Sequence, residues 1–114
     1  MDECIFCKII AGDIPSDVLY RDDEVIAFRD VNPVAPTHIL ILPVEHLVTT
    51  LDIPDDNASL AGKMIQTANR LANQEGISKN GYRLVINCGK LGGQVVGHLH
   101  MHLIGGRQLS SSLG

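Results

Sequence analysis

Histidines are concentrated in one short stretch of the chain, where they alternate with apolar residues. Three of the five histidines are His98, His100 and His102, and Leu99 and Met101 separate them. Side chains of a β-strand point alternately to opposite faces, so a strand would place the imidazoles on one face and the apolar residues on the other. A helix, which turns by about 100° per residue, would scatter them around its axis. The spacing therefore predicts a histidine-lined surface on a strand.

Three kinds of role are open to such a surface. The first is a metal site, but along a strand His98 and His102 would lie about 13 Å apart, at ~3.3 Å per residue. Zinc–nitrogen bonds measure only ~2.0–2.1 Å, so one ion can contact at most a neighbouring pair, with further ligands from elsewhere. The second is nucleophilic catalysis at phosphorus, because imidazole is largely neutral near pH 7 and its free nitrogen can attack. The third is a structural ladder of histidines.

A glycine-rich segment precedes the histidines and favours the second role. Residues 87–94 read NCGKLGGQ, and glycine allows backbone N–H groups to approach an anion such as phosphate closely. The segment lacks the Gly-Lys-Ser/Thr ending of a P-loop, so nucleoside-triphosphatase chemistry is not indicated. A glycine-rich turn is a weak signal by itself and is often only a turn. Beside three histidines, it indicates a site for a phosphate-bearing ligand.

The hydrophobic pattern predicts the elements that position these residues. Apolar residues that recur every 3.6 positions indicate one long helix, and a continuous apolar run between two prolines indicates a strand buried on both faces. The predicted order is a short helix at 4–10, a hairpin of strands at 18–20 and 25–28, a buried strand at 39–42, a long helix between Asn57 and Gln74, and strands at 82–86 and 99–104. This order indicates a single α+β domain over residues 1–114, with a mostly antiparallel sheet.

Composition narrows the class of protein. The chain has 114 residues, enough for one compact domain, and nine lysines and arginines against thirteen aspartates and glutamates. The net charge of −4 speaks against binding DNA or RNA as a polymer, which requires clustered positive charge. No segment approaches ~20 consecutive apolar residues, so we expect no membrane span. The start of the chain is acidic, unlike a secretory signal, and the three cysteines do not suggest a disulfide framework, so we expect a cytoplasmic protein.

The pattern His-x-His-x-His, with apolar residues between the histidines, resembles the motif of the histidine triad family. The resemblance covers nearly the whole chain, and the Hint-like branch of the family has similar segments in the same order. These segments are IFCKII (5–10), AFRDVNP (27–33), APTH (35–38), GYR (81–83), GGQ (92–94) and GGR (105–107). The resemblance implies a five-stranded, mostly antiparallel sheet with one long and one short helix, continued across a homodimer. It also implies a purine nucleotide ligand and hydrolysis of a bond to its α-phosphate.

The resemblance also implies roles for individual residues. His100 would attack the α-phosphorus and form a covalent nucleotidyl-histidine, which water then hydrolyses. His102 would share in protonation or charge stabilisation, and His38 would complete a proton relay, unless it is only a buried histidine satisfied by hydrogen bonds. The implied nucleotide contacts also include Asp30 at the ribose hydroxyls, Asn87 and Gly93 at the α-phosphate, and Ile5, Phe6, Ile9, Phe28 and Val31 around the base. Without the resemblance, these apolar residues would be read equally well as ordinary core.

The chain departs from the family pattern at three places. Val95 stands where family members often have serine, so any phosphate contact there must come from the backbone. Gly97 replaces a frequent aromatic residue. The serine-rich tail at 108–114 lacks the aromatic residue that some relatives bring to the partner's site, which leaves the leaving group open.

Two cysteines near the start of the chain suggest a separate metal site. Cys4 and Cys7 have the Cys-x-x-Cys spacing common in zinc sites. Some histidine triad proteins complete such a pair with the histidine of a Pro-x-x-His segment and the first histidine of the triad, which are His46 and His98 here. The resemblance thus implies structural zinc at these four residues, with no cofactor required for the chemistry. Two reduced cysteines packed as small hydrophobic residues are the alternative.

The family resemblance favours a nucleoside phosphoramidate hydrolase that cleaves the bond between AMP and an amine. Hydrolysis of dinucleoside polyphosphates or acyl-adenylates is a second hypothesis within the family. A metal hydrolase that uses two triad histidines and His38 is a third. A nucleotide-binding regulatory module with incidental catalysis is a fourth, from a different functional class.

Overall fold

The computed structural model describes residues 3–114, in which an antiparallel sheet has a helix packed on each face. The elements are α1 (Ile5–Ile10), β1 (Val18–Arg21), β2 (Val25–Arg29), β3 (Thr37–Pro43), two 3-10 turns (Thr50–Asp52 and Asp55–Asn57), α2 (Ser59–Gln74), β4 (Tyr82–Ile86) and β5 (Met101–Gly105). The strand order is β1-β2-β3-β5-β4, and every neighbouring pair is antiparallel. This confirms the predicted α+β fold, with five strands, one long helix and one short helix in the described residues. No helix of residues 3–114 is long and apolar enough to cross a membrane.

The two faces of the sheet carry different apolar clusters. On the first face, Met64 and Leu71 of α2 pack with Val25 and Ile39 of the sheet, in what we call the helix-side cluster. On the opposite face, Phe6 of α1 packs against alternate residues of β2 and β3, in what we call the histidine-side cluster. The buried members of this second cluster are Phe6, Ile26, Phe28, Leu40 and Leu42. Because both clusters contact it, β3 is buried along its whole length, as predicted.

The last strand is shorter than its sequence predicts. The ladder between β3 and β5 stops at the pair of Ile41 and Met101. Beyond this pair, the ring nitrogen Nε2 of His98 lies 2.9 Å from the carbonyl oxygen of Pro43, and the N–H of Leu99 bonds to a carbonyl outside the sheet. These contacts replace ladder hydrogen bonds, so the predicted start of the strand at residue 99 is wrong by two residues.

The alternation of side chains nevertheless extends beyond the strand. Leu99, Met101 and Leu103 all belong to the helix-side cluster. The His100 ring lies on the other side, edge-on to the Phe6 ring of the histidine-side cluster with centroids 5.1 Å apart. The apolar residues between the histidines therefore enter the core, as the spacing predicts.

Substitutions at two glycines test how tightly the residues around β5 and α2 are packed. A Cβ on Gly105 of β5 would lie 2.6 Å from Cδ1 of Ile77 and 3.2 Å from Cβ of Tyr82, whereas a Cβ on Gly62 of α2 would have no neighbour within 4 Å. We expect Gly105→Ala to lower the free energy of unfolding by about 1–3 kcal/mol through overpacking. Gly62→Ala, the control, should raise it by about 0.5–1 kcal/mol because alanine favours helix. Urea unfolding measures both, and equal stabilities for Gly105→Ala and the wild type would contradict this packing.

Candidate active site

One ring nitrogen of His100, Nδ1, is hydrogen-bonded to the backbone, and the other, Nε2, does not take part in this bond. Its Nδ1 lies 2.6 Å from the carbonyl oxygen of His98. A carbonyl oxygen only accepts hydrogen bonds, so Nδ1 carries the proton and donates it, which leaves the lone pair of a neutral imidazole on Nε2. The ring is buried, and Phe6 packs against it edge-on. This tautomer is the one that a nucleophilic Nε2 requires.

His38 and His102 are joined by a hydrogen bond, and the Asp30 carboxylate lies beside them. The backbone N–H of Val34 donates to Nδ1 of His38 at 3.2 Å, so the proton of a neutral His38 lies on Nε2. That Nε2 is 2.9 Å from Nδ1 of His102 and 3.4 Å from Oδ2 of Asp30. With its Nδ1 accepting from His38, a neutral His102 carries its proton on Nε2. The rings of His100 and His102 have centroids 5.0 Å apart, so this proton lies in the neighbourhood of the His100 imidazole.

The sheet brings these three residues together from distant parts of the chain. Asp30 directly follows β2, His38 is the second residue of β3, and His102 is the second residue of β5. The backbone N–H of Asp30 donates to the carbonyl oxygen of His38 at 2.9 Å, which extends the β2–β3 ladder by one bond. The sequence predicts that His38 lies beside the triad, and the structure places it in a direct hydrogen bond to His102.

The glycine-rich segment is an ordered turn closed by side-chain amides. The Asn87 amide donates to the carbonyl oxygen of Gly92 at 2.8 Å, and a Cβ on Gly93 would lie 3.8 Å from the same amide nitrogen. The Gln94 side chain accepts from the N–H of Gly89 at 2.9 Å. Gly93 has a φ of +81°, a conformation that favours glycine. The structure thus places Asn87 and Gly93, the two residues predicted to contact phosphate, side by side.

The five apolar candidates for a base pocket do not form a single uniform surface. The rings of Phe6 and Phe28 pack edge-on with centroids 5.6 Å apart and are buried in the histidine-side cluster, against which Ile9 is half-buried. Ile5 and Val31 are 48% and 84% exposed. Phe6 and Phe28 therefore have a core role in any case, whereas Ile5 and Val31 are accessible to a ligand.

The two cysteines converge with two histidines in a four-residue cluster. Nδ1 of His98 lies 3.5 Å from Sγ of Cys4 and 3.6 Å from Sγ of Cys7, and Nδ1 of His46 lies 3.1 Å from Sγ of Cys7. All four donor atoms lie within 4.8 Å of one another. Cys4 caps α1, His46 follows β3 and His98 precedes β5, so the cluster joins the start of the chain to the triad.

Comparison with known proteins decides the family. The family model of the HIT domain matches residues 11–109 of the chain. The chain belongs to the histidine triad family. The purine nucleoside phosphoramidase of Escherichia coli K12 is 51% identical over 112 residues, which are 98% of this chain and 94% of that protein. A HIT family hydrolase from Legionella pneumophila superposes with a TM-score of 0.93 at 47% identity, covering 98% of this chain and 100% of that one. Another from Clostridium thermocellum gives 0.95 at 43% identity, covering 99% and 98%.

The cysteine–histidine cluster of this histidine triad protein has the chemistry and spacing of a metal site. In a tetrahedral zinc site with bonds of ~2.3 Å to sulfur and ~2.0–2.1 Å to nitrogen, neighbouring sulfur and nitrogen ligands are about 3.6 Å apart. The two distances from Nδ1 of His98 match this value, whereas the 3.1 Å between Nδ1 of His46 and Sγ of Cys7 is shorter. Nε2 of the same ring donates to the carbonyl oxygen of Pro43, which leaves Nδ1 unprotonated and able to bind a metal. The cluster can therefore hold a metal ion.

Asp30, His38 and His102 also bring potential metal ligands within 4.8 Å of one another. A metal on Nε2 of His38 would require a lone pair there and a proton on Nδ1. That Nδ1 already accepts the N–H of Val34, so the proton lies on Nε2 instead. The geometry fits a proton relay better than a metal ligand, which weakens the metal-hydrolase hypothesis.

The sequence did not reveal two backbone groups that fix the tautomers of His38 and His98. They are the backbone N–H of Val34 and the carbonyl oxygen of Pro43. A backbone group carries no residue-type signal, and the segment between Asp30 and His38 gave no indication that it folds back onto a histidine ring.

His38 and His102 are held in the neutral form. Burial lowers the pKa of His102 to about 4, and nearby His100 and His38 oppose its charging further. Burial also lowers the pKa of His38, although the Asp30 carboxylate partly opposes this shift. Near neutral pH both rings can therefore accept a proton on one nitrogen and donate one from the other.

These shifts predict how stability depends on pH. The unfolded chain binds protons at histidine near pH 6.5, whereas folded His102 binds one only near its pKa of about 4. Above pH 6.5 neither state binds this proton, so it does not affect stability. As the pH falls from 6.5 towards 4, the unfolded chain binds the proton before folded His102 does, and the free energy of unfolding decreases. We expect His102→Gln to reduce the slope of unfolding free energy in this window by up to about 1.4 kcal/mol per pH unit. Urea titrations between pH 7 and 4.5 measure it, and identical slopes would refute the neutral state of His102.

Proposed function

We propose that the protein is a nucleoside phosphoramidate hydrolase that cleaves the P–N bond of adenosine 5'-phosphoramidates through a nucleotidyl-histidine on His100. The observation that carries the proposal is the 2.6 Å contact between Nδ1 of His100 and the carbonyl oxygen of His98, because it leaves Nε2 as the nucleophile. The name of the 51% identical relative from Escherichia coli, purine nucleoside phosphoramidase, supports the choice of substrate.

In the first step, Nε2 of His100 forms a bond to the α-phosphorus as the P–N bond breaks. The departing amine takes the proton from Nε2 of His102, and the hydrogen bond from His38 to Nδ1 of His102 supports this transfer. The new P–N bond leaves a positive charge on the His100 ring, which offsets the proton lost from His102. In the second step, water attacks phosphorus, returns one proton to His102 and releases AMP with His100 restored.

The nucleotide contacts follow from the same arrangement. Asn87 and the backbone of Gly93 contact the α-phosphate, and their close approach in the glycine-rich turn supports this role. Asp30 accepts hydrogen bonds from the ribose hydroxyls with the lone pairs that Asn32 and His38 leave free. The base lies against an apolar surface that discriminates weakly between purines. The proposed surface consists of Ile5, Phe6, Ile9, Phe28 and Val31.

Zinc and a second copy of the chain complete the proposed holoenzyme. Cys4, Cys7, His46 and His98 hold zinc, which would tie α1 to the segment before β5 without entering the reaction. The dimer forms at β4, an edge strand of the sheet whose outer backbone groups are free to pair with an identical strand. Pairing two such edges would continue the sheet across both copies.

Replacement of the nucleophile tests the activity directly. We expect His100→Ala to lower amine release from adenosine phosphoramidates by on the order of 10⁴-fold, because no other group replaces the attacking nitrogen. AMP should still bind, as measured by calorimetry, and Gly62→Ala should react at the wild-type rate. A panel that also contains dinucleoside polyphosphates and acyl-adenylates ranks the alternative substrates. Unchanged turnover by His100→Ala would exclude the covalent mechanism, and no turnover of any substrate by the wild type would favour a nucleotide-binding module.

Metal removal separates a structural zinc from a catalytic one. We expect the purified protein to contain about one zinc per chain, and Cys7→Ser to bind less because it removes a thiolate ligand. Chelation should lower the melting temperature, since metal binding to the folded chain alone stabilises it. Below the melting temperature, the stripped protein should lose far less activity than His100→Ala. Complete loss of turnover, restored by adding zinc, would instead support the metal-hydrolase hypothesis.

A further inference from the structure

The relay residues Asp30 and His38 have chain neighbours that point to the opposite face of the sheet. Arg29 ends β2 and Thr37 begins β3, so each is one residue away from a relay member. Alternation along β2 and β3 puts them on the face that α2 covers, in line with Val25 and other members of the helix-side cluster. At this end of the β2–β3 pair, residues that face the histidine side are therefore direct chain neighbours of residues that face the helix side.

Glu75 joins these two neighbours from the end of α2. It caps the C-terminus of the helix, and its carboxylate accepts from the two terminal guanidinium nitrogens of Arg29, at 2.7 Å and 3.0 Å. The Thr37 hydroxyl donates to the same carboxylate at 3.3 Å. A bidentate arginine–carboxylate contact is among the stronger and more directional side-chain interactions. We call this arrangement the Glu75 clamp.

The clamp lies at the end of the β2–β3 pair, where β3 is also paired on its other side with β5, Thr37 opposite Gly105. The last ladder hydrogen bond joins the N–H of Asp30 to the carbonyl oxygen of His38, and a loop with Pro33 and Pro36 follows. Proline has no N–H, so the loop has fewer hydrogen bonds with which to extend the pairing. The clamp instead connects this end to α2, whose own position is fixed by its buried apolar face.

We infer that Glu75 is a positioning residue, which fixes the end of β2 against β3 so that Asp30 and His38 keep their positions beside His102. This inference rests on the proposed function of the relay. The 2.9 Å contact between His38 and His102 has little tolerance, because a hydrogen bond weakens quickly as its atoms separate. Glu75 itself lies on the far side of the sheet and acts only through the backbone of the two strands.

The hydrogen bond from Arg29 holds the pKa of Glu75 below its usual value, so the carboxylate stays ionised at neutral pH. Arg29 also contacts Asp17 at 3.3 Å, which keeps the guanidinium partly held when Glu75 is replaced. Loss of Glu75 should therefore loosen the strand ends without leaving a buried charge unpaired.

The chain contains a matched control on the same helix. Lys63 of α2 contacts Asp22 at 2.9 Å and Glu24 at 3.1 Å, which connects the helix to the β1–β2 turn at the other end of β2. Its side chain is 33% exposed, close to the 37% of Arg29. Lys63→Met removes a helix-to-sheet ion pair of similar exposure, but one that does not adjoin a relay residue.

The experiment compares Glu75→Ala, Glu75→Gln and Lys63→Met in the full chain. Steady-state kinetics on an adenosine phosphoramidate give kcat and KM, thermal melting gives stability, and NMR of the ring N–H of His38 in the ligand-free protein reports the relay itself. We expect Glu75→Ala to lower kcat by about tenfold with KM within about twofold, because misplaced relay groups slow the reaction more than binding. Its His38 N–H should exchange faster with solvent, and Glu75→Gln should lie between it and the wild type.

Lys63→Met should lose a similar amount of thermal stability while keeping the wild-type kcat and His38 signal. Equal losses of kcat in Lys63→Met and Glu75→Ala would overturn the inference, because they would reveal a general effect of stability. A wild-type kcat and His38 signal in Glu75→Ala would overturn it as well. If Glu75→Ala does not fold, Glu75→Gln decides by the same criteria. The NMR signal needs no substrate, so it tests the clamp even if the proposed activity fails.

Discussion

The contact between Nδ1 of His100 and the carbonyl oxygen of His98 is the interaction on which the rest of the site depends. It determines which nitrogen of His100 keeps a lone pair, and so which atom can attack a substrate. The carbonyl that accepts it belongs to a residue whose ring is itself fixed on both sides. Nε2 of His98 donates to Pro43, and Nδ1 faces the thiols of Cys4 and Cys7. One residue thereby links the cysteine–histidine cluster, the end of β3 and the His100 imidazole.

Because side chains alternate along each strand, the two faces of the sheet carry different sets of residues. Residues on one face of β2, β3 and β5 meet α2 and form the larger core, while those on the other meet α1 and lead to the histidines. This arrangement gives the fully enclosed ring nitrogens hydrogen-bond partners, and no buried side-chain nitrogen or oxygen of the described residues lacks one. It also lets a contact on the helix side, such as the Glu75 clamp, act on residues of the histidine side.

Much of this arrangement can be predicted from the sequence, because alternation and helical periodicity are local properties. The strand at Tyr82–Ile86 and the burial of β3 on both faces agree with the pattern. The start of β5 does not, because a side-chain contact from His98 to Pro43 replaces the ladder there. The convergence of Cys4, Cys7, His46 and His98 was expected from family resemblance, since spacing alone relates only the two cysteines.

Other features depend on contacts between distant parts of the chain and leave no local signal. Glu75 reads as an ordinary acidic residue at a helix end, and only the folded chain places it against Arg29 and Thr37. The tautomer of His38 depends in the same way on a backbone N–H of the preceding loop. Exposure is equally hard to predict, as Val31 is largely solvent-accessible while Phe28 in the same motif is buried.

The most direct test of this account is to identify the atom that carries the nucleotide during turnover. The wild-type protein would be mixed with an adenosine phosphoramidate, quenched rapidly under alkaline denaturing conditions, and analysed by peptide mass spectrometry and phosphorus NMR. We predict AMP attached to Nε2 of His100. Attachment to Nδ1 of His100 or to another residue would contradict it, because the hydrogen bond to His98 leaves only Nε2 free to react.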